Sequence, residues 1–247
     1  MKPLTARLSS SPAERTRSAT TPERMLEILV SPGEVFEEAI AAPHATANWL
    51  LPVLLNGFCG VLLFLAVEGR MSSTGGMEEE AQVARAVAED SSEQVHASSR
   101  QEGGQSTSRF AVMTAIVLVP FAGTFWSMLV LGLIGRVFLR TRFSWLKTLE
   151  IAGLTTVLLA LGTVVTALLI MATDNGLARP AVSLLIGEFD PANRIHRALA
   201  GLDVFHVWTA AVLSIGLTRL SGVSNREAAV WVFGYWIALR ITLLLLA

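Results

Sequence analysis

Apolar and polar residues fall into long alternating blocks along this chain. Five apolar blocks occupy 49–67, 110–134, 151–172, 199–220 and 228–247. Polar, charged stretches cover 1–47, 68–109 and 173–200. A helix crosses a hydrocarbon core about 30 Å thick with about 20 apolar residues, which is what each block supplies. A helix of this length on a soluble core would keep a polar face. The second and third blocks keep none. Lipid offers peptide groups no partner, so each block is expected to be a helix that satisfies its own N–H and C=O groups. The pattern predicts an all-α fold, an integral membrane bundle of five transmembrane helices with N-terminal interfacial amphipathic helices. The expected boundaries are 1–20 for a disordered N-terminus and 21–47 for the amphipathic helices. The five-helix domain then fills 48–247 and includes a polar loop at 68–109.

Polar residues inside the blocks modify this picture. The fourth block is the most polar, with Asp203 and His206 near its start. Arg240 interrupts the fifth, and Asn56 lies in the middle of the first. Pro52 and Pro120 each remove a backbone hydrogen bond and are expected to kink their helices. Small residues recur four apart at Gly123 and Ser127, Gly162 and Thr166, Ala210 and Ser214, and Gly234 and Ala238. That spacing lets helix backbones approach closely, and the pairs read as packing faces.

Ahead of the first block, Thr21-Pro22-Glu23 predicts one helix start, with Thr21 as cap and Pro22 in the first turn. Ser31-Pro32-Gly33-Glu34 predicts another, because Ser31 and Glu34 have capping-box spacing and Pro32 sits where its missing N–H costs nothing. Met25, Leu26 and Leu29, then Val35, Phe36, Ala39 and Ile40, supply apolar faces. Those faces suit either the membrane interface or the bundle's own inner surface. Residues 77–98 are acidic and Ala-rich and predict a short solvated helix, followed by a flexible linker at 98–108. Residues 1–20 are rich in Ser, Thr, Arg and Pro, hence the expected disorder. Charges from Arg7 to Glu27 interrupt any secretory apolar core, so the N-terminus is expected to be retained.

Composition agrees with a membrane class. Hydrophobic residues make up 52% of the chain and charged ones 16%, against about 25% charged in an average soluble domain. A formal net charge of -1 without a basic patch argues against a nucleic-acid partner. The one cysteine, Cys59, cannot form an internal disulfide and reads as a small buried hydrophobe. Arginine and lysine favour cytoplasmic loops. Arg136, Arg140, Arg142 and Lys147 follow the second block, and Arg219 and Arg226 follow the fourth. The other two connections are longer and less densely basic. This bias predicts a cytoplasmic N-terminus and an outward C-terminus, with Trp145 and Trp231 near the cytoplasmic boundary.

Ionisable groups within a span are costly and mark pairing or functional sites. Asp203, His206, Arg240 and Asn56 therefore form the candidate intramembrane polar site. His206 follows Asp203 by three residues and shares its helix face. Asp203 and Arg240 are expected either to pair across adjacent helices or to reach separately for the headgroups. Asn56 is expected to bond across helices, and Glu68 and Glu150 to be solvated at span ends. No His-Glu-x-x-His, Gly-x-Ser-x-Gly or Walker motif occurs. The histidines His44, His96, His196 and His206 are scattered. No catalytic residue, metal or cofactor is expected.

Segment 28–40, Ile-Leu-Val-Ser-Pro-Gly-Glu-Val-Phe-Glu-Glu-Ala-Ile, resembles the pre-membrane motif of the Yip1-domain family. Leu202-Asp203-Val204-Phe205-His206-Val207-Trp208, with its Asp-x-Phe-x-x-Trp pattern, resembles that family's entry to the fourth span. Ser214-Ile215-Gly216-Leu217 and Ser221-Gly222-Val223-Ser224 continue the likeness, as does the basic loop at Phe143 and Ser144. The residues that carry it are Ser31, Pro32, Phe36, Asp203, Phe205, Trp208 and Gly216. The resemblance implies a five-span protein with a cytoplasmic N-terminus, of the prokaryotic kind, in a bacterial cytoplasmic membrane. The eukaryotic members' link to vesicle traffic and Rab GTPases does not carry over, because this chain departs from them in its long charged loop. The expected role is non-enzymatic: organising or binding membrane lipids, other membrane proteins or a second copy of itself. The alternative is a small permease or lipid-translocating protein with a polar path near Asp203, His206 and Arg240.

Overall fold

A computed structural model describes residues 19–74, 109–173, 175, 178–186, 190 and 193–246. The expectations for residues 1–18, 77–98 and 98–108 lie outside the described residues. Two short helices, α1 (Thr21–Glu27) and α2 (Pro32–Ala41), form an N-terminal arm. The long helices are α3 (Ala47–Thr74), α4 (Arg109–Leu133), α5 (Trp145–Thr173), α7 (Val204–Ser221) and α8 (Asn225–Leu246), with the short α6 (Arg194–Ala200) before α7. All five long helices are long and apolar enough to cross a membrane, so the chain is a multi-pass integral membrane protein. Their outward faces are apolar too, as a hydrocarbon solvent requires: Phe58 is 60% exposed, Leu118 58% and Leu168 59%.

The arm's buried side faces the bundle. Ile28, Val35, Phe36 and Ala39 pack in one cluster with Ile151, Leu154 and Leu158 of α5 and Val212 of α7. Leu26 and Val30 remain exposed at its outer edge. The cap of α1 is Thr20, one residue earlier than expected, and Glu23 Oε2 accepts its N–H at 2.7 Å. Thr21 is thereby freed to donate to Asn48 Oδ1 at 3.0 Å. Ser31 caps α2 with Pro32 in its first turn, although its hydroxyl makes no capping bond.

Two of the glycines mark close helix crossings. A Cβ on Gly153 would lie 2.3 Å from Trp49 Cα, so α3 and α5 touch through their backbones. A Cβ on Gly216 would lie 2.5 Å from Ile151 and 3.3 Å from Phe36, where α2, α5 and α7 converge. Pro52 and Pro120 both lie inside continuous helices. Helix α4 ends in a π-helical turn, Ile134–Phe138, before the basic loop.

The fourth span starts later than its hydropathy predicts. Residues 199–203 do not belong to it: α6 ends at Ala200 and α7 begins at Val204. Asp203 breaks the run because its carboxylate caps α7, accepting from Phe205 N–H at 2.7 Å. Its backbone pairs with Ala181 in an antiparallel bridge. Val204 N–H donates to Pro180 O at 3.1 Å, which ties the α5–α6 connection to this corner.

Candidate functional site

Polar side chains gather at two places on opposite ends of the bundle. The first joins the arm to the starts of α3 and α5. Glu150, expected to be solvated, is fully buried. His44 Nδ1 lies 2.5 Å from its Oε1, and Ala45 N–H donates to the same oxygen at 3.3 Å. Asn48 Nδ2 donates to Oε2 at 2.9 Å and Lys147 Nζ to Oε1 at 3.2 Å. Lys147 Nζ also donates to Ala39 O at 2.7 Å and Ala42 O at 2.8 Å, closing the C-terminal end of α2. Asn48 Oδ1 accepts from Thr21 Oγ1 at 3.0 Å and from Arg24 Nη1 at 3.4 Å. A buried carboxylate is tolerated only when paired and hydrogen-bonded, and this one is. Arg24 Nε, by contrast, is buried without a hydrogen-bond partner. The local sequence gave no sign of this joint. Its members are separated by about 100 positions and meet only because α2 folds back across the bundle.

The second gathering borders a cavity of about 270 Å³ with walls from all five spans. Its lining on α5 runs from Ala152 to Ile170, about 27 Å at 1.5 Å per residue. That is most of a hydrocarbon core about 30 Å thick. The structure brings Asn56, Asp203, His206 and Arg240 to the walls of this one cavity. Asp203, 9% exposed, caps α7, and His206 Nδ1 is 3.7 Å from its Oδ1. The Arg240 guanidinium lies 5.4 Å from the centroid of the Trp236 ring, and a Cβ on Gly201 would come 3.6 Å from its Nη1. Arg179 lines the same end. Asn56 does not bond across helices as expected. Among the described residues its side chain makes no hydrogen bond, and it lines the cavity half-buried at mid-depth.

Between these polar groups the bore is apolar in effect. The hydroxyls of Thr156, Thr163, Thr166 and Thr209 donate to carbonyls four residues back on their own helices. Their protons are therefore spent within the helix rather than offered to a ligand. The cavity thus has one charged end, a single amide midway and a long weakly polar bore. No group of three or more His, Cys, Asp or Glu side chains arranged for a metal occurs among the described residues.

The other motif residues hold this architecture together. Phe36 packs on α5 and α7, and Gly216 lets it approach. Phe205 packs against Gly162 of α5, where an added Cβ would come 2.9 Å from its ring, and it stacks with Trp208 at 6.3 Å. Trp208 packs in turn on the arm's cluster. The quoted motifs therefore mark the joint between arm, α5 and α7, and Asp203 adds the cap at the cavity's charged end. No curated protein and no solved structure matches the chain. A family model described as Yip1 domain matches residues 26–247, which takes in the arm joint, all five spans and the cavity, and the chain belongs to that family.

Proposed function

We propose that this chain is a non-enzymatic membrane protein that binds other membrane components, and that its cavity holds an amphipathic one. The observation that carries the reading is the shape of that cavity: a charged end at Asp203, His206 and Arg240 joined to a weakly polar bore. Ligand sites are mostly apolar concavities with a few polar groups that fix orientation, and a lipid has the matching asymmetry. Orientation follows from the basic connections. Those after α4 and after α7 carry Arg136, Arg140, Arg142, Lys147, Arg219 and Arg226, and they lie at the arm's end of the bundle. Arg219, for instance, pairs with Glu37 of α2 at 2.5 Å. The arm is then cytoplasmic and the charged cavity end faces outward, in a bacterial cytoplasmic membrane.

The second reading, passage of a lipid or solute along the bore, is favoured by the cavity's length relative to the bilayer. One experiment tests both. Purified protein is exposed to a photoreactive phospholipid in vesicles, and labelled peptides are mapped. Labelling along the α5 and α7 walls, lost when Thr163→Phe narrows the bore, is the expected result. Labelling confined to the outward faces of the spans would overturn the binding reading. Phospholipid flux in proteoliposomes, blocked by the same variant, would promote passage from the second reading to the first.

A further inference from the structure

The basic connection after α4 divides its cations. Lys147 turns inward and is spent on the arm joint. Arg136, Arg140 and Arg142 are exposed, as is Arg226 at the start of α8. None of these four side chains forms an ion pair among the described residues, and Arg136 lies over the Trp145 ring, 4.0 Å from its centroid. Phe138 stacks on Trp231 with centroids 4.1 Å apart, which joins the end of α4 to the first turns of α8. Trp231 shares a groove with Arg226, Glu227 and Val230. The loop's arginines and Arg226 thus belong to one edge of the bundle. Glu227 sets one negative charge against four positive ones there. The arm's glutamates do not compensate the excess: Glu27, Glu34 and Glu38 form no ion pair, and Glu37 is taken by Arg219.

This edge lies where the spans leave the hydrocarbon. The second span runs to Phe138, the third starts at Trp145 and the fifth at Asn225. Val137, Phe138, Leu146 and Val230 are exposed beside the arginines. Cations level with an apolar belt match a phospholipid, whose headgroup meets the charge while its chains run along the spans. A soluble polyanion would leave the apolar half uncovered.

The loop is held in shape. A Cβ on Gly132 would collide with the Trp145 ring, and one on Gly135 with the Phe143 ring, so the loop packs directly on the end of α4. Thr141 N–H and Oγ1 both donate to Gly135 O, at 2.9 and 3.3 Å. This closure leaves Arg140 at φ +54°, and among the described residues it is the one non-glycine in the left-handed region. Helices that end this way usually place glycine there, because a side chain is strained. An exposed, unpaired arginine gives the fold nothing in return. Strain kept at such a position points to use of the side chain, here a cation.

We infer that this edge is a docking site for an anionic phospholipid in the leaflet at the arm's end. Arg140 and Arg142 hold its phosphate, Arg136 and Arg226 add attraction, and its acyl chains lie along Val137, Phe138 and Val230. The site is separate from the cavity and does not rest on the reading proposed above.

The test places the full chain in mixed micelles with equal amounts of phosphatidylglycerol and phosphatidylcholine bearing the same acyl chains. Native mass spectrometry counts the lipids retained. Each basic side chain near an anionic membrane surface is worth about a fivefold factor in binding. Wild type should therefore retain phosphatidylglycerol at least about tenfold over phosphatidylcholine. Arg140→Gln with Arg142→Gln should cut that preference at least about fivefold, whereas the matching double lysine variant keeps most of it. Arg140→Gly removes the cation and the strain together, so it should melt no lower than wild type and still lose preference severalfold. Two controls should leave the preference unchanged: Arg194→Gln, which removes an equal charge at the opposite end, and Thr163→Phe, which narrows the bore. Equal retention of the two lipids by wild type overturns the site. So does a preference that survives in the double glutamine variant, or that either control reduces as much. Displacement of the lipid by millimolar inorganic phosphate would mean a site for a soluble anion and overturns the membrane assignment.

Discussion

The two polar gatherings use similar side chains for opposite ends. At the arm joint, one carboxylate is enclosed by an imidazole, an amide, an ammonium and a backbone N–H, all supplied by the protein. At the far end, a carboxylate, an imidazole and two guanidinium groups border an open cavity. The first spends its hydrogen-bonding capacity on folding, since His44, Ala45 and Asn48 tie the end of the arm and the start of α3 to Glu150 on α5. The second sets its ionisable groups along a cavity wall, and such groups within a span mark pairing or functional sites. Burial alone does not separate them, since Glu150 is fully buried and Asp203 nearly so. The number of protein donors around each carboxylate does.

The sharpest way to break the comparison is to remove the enclosed carboxylate. Glu150→Leu leaves Asn48 Nδ2 and Ala45 N–H without their acceptor and Lys147 without its counter-charge. Breaking a buried pair from one side costs about 3–5 kcal/mol. The variant should lose most of its folded yield, or a large part of its thermal stability in mild detergent. A stability close to wild type would mean that the joint is ornamental. Phe36→Ala attacks the same joint through packing and should cost about 3 kcal/mol. Its distinctive readout is protease cleavage between α2 and α3 while the spans stay intact, because the arm loses its main anchor on α5 and α7. An arm that stays resistant would show that the polar cluster alone holds it.

The sequence revealed the spans far better than the joint. Hydropathy found all five because the solvent acts on every residue of a span, so the signal is spread over about 20 positions. It misplaced the start of the fourth because residues 199–202 are apolar enough to extend the window, whereas the capping bond from Asp203 decides where the helix begins. It brought Asp203, His206 and Arg240 forward because charge in an apolar run is conspicuous by itself. Glu150 was misread for the converse reason. It stands at a span end, where charge is ordinary, and its partners His44 and Asn48 lie about a hundred residues away. Asn56 was legible as an oddity but not in its role, since whether an amide finds a partner depends on what the neighbouring helices present.

A matched pair of amide substitutions sharpens the contrast. Glu150→Gln keeps size but converts one accepting oxygen into a donor facing Lys147 or His44. It should cost about 1–3 kcal/mol, the usual penalty for a buried group left badly partnered. Asp203→Asn is the same chemical change at the other end. Asparagine caps helices about as well as aspartate, so Phe205 N–H keeps its acceptor and stability should move by less than about 0.5 kcal/mol. Thermal unfolding of the two variants side by side decides this. If both lose equally, the two ends do not differ in kind.

The smallest expected effect concerns Asp203 and Arg240 as partners. Exchanging the charges outright would also destroy the cap on α7, so the loss could not be read as a broken ion pair. Neutralising each in place avoids that, because Asp203→Asn retains the cap, and the cation–π contact of Arg240 with Trp236 is lost in both Arg240→Gln backgrounds and cancels in the cycle. A double-mutant cycle on these two variants then isolates the charge term alone. We expect a coupling of no more than about 0.3 kcal/mol, since the two groups do not form a direct ion pair and the site is open enough for water to screen them. Additive losses would mean that each charge serves the cavity separately. In that case the coupling should appear only when the cavity is occupied, because a bound headgroup between the two side chains would be what connects them.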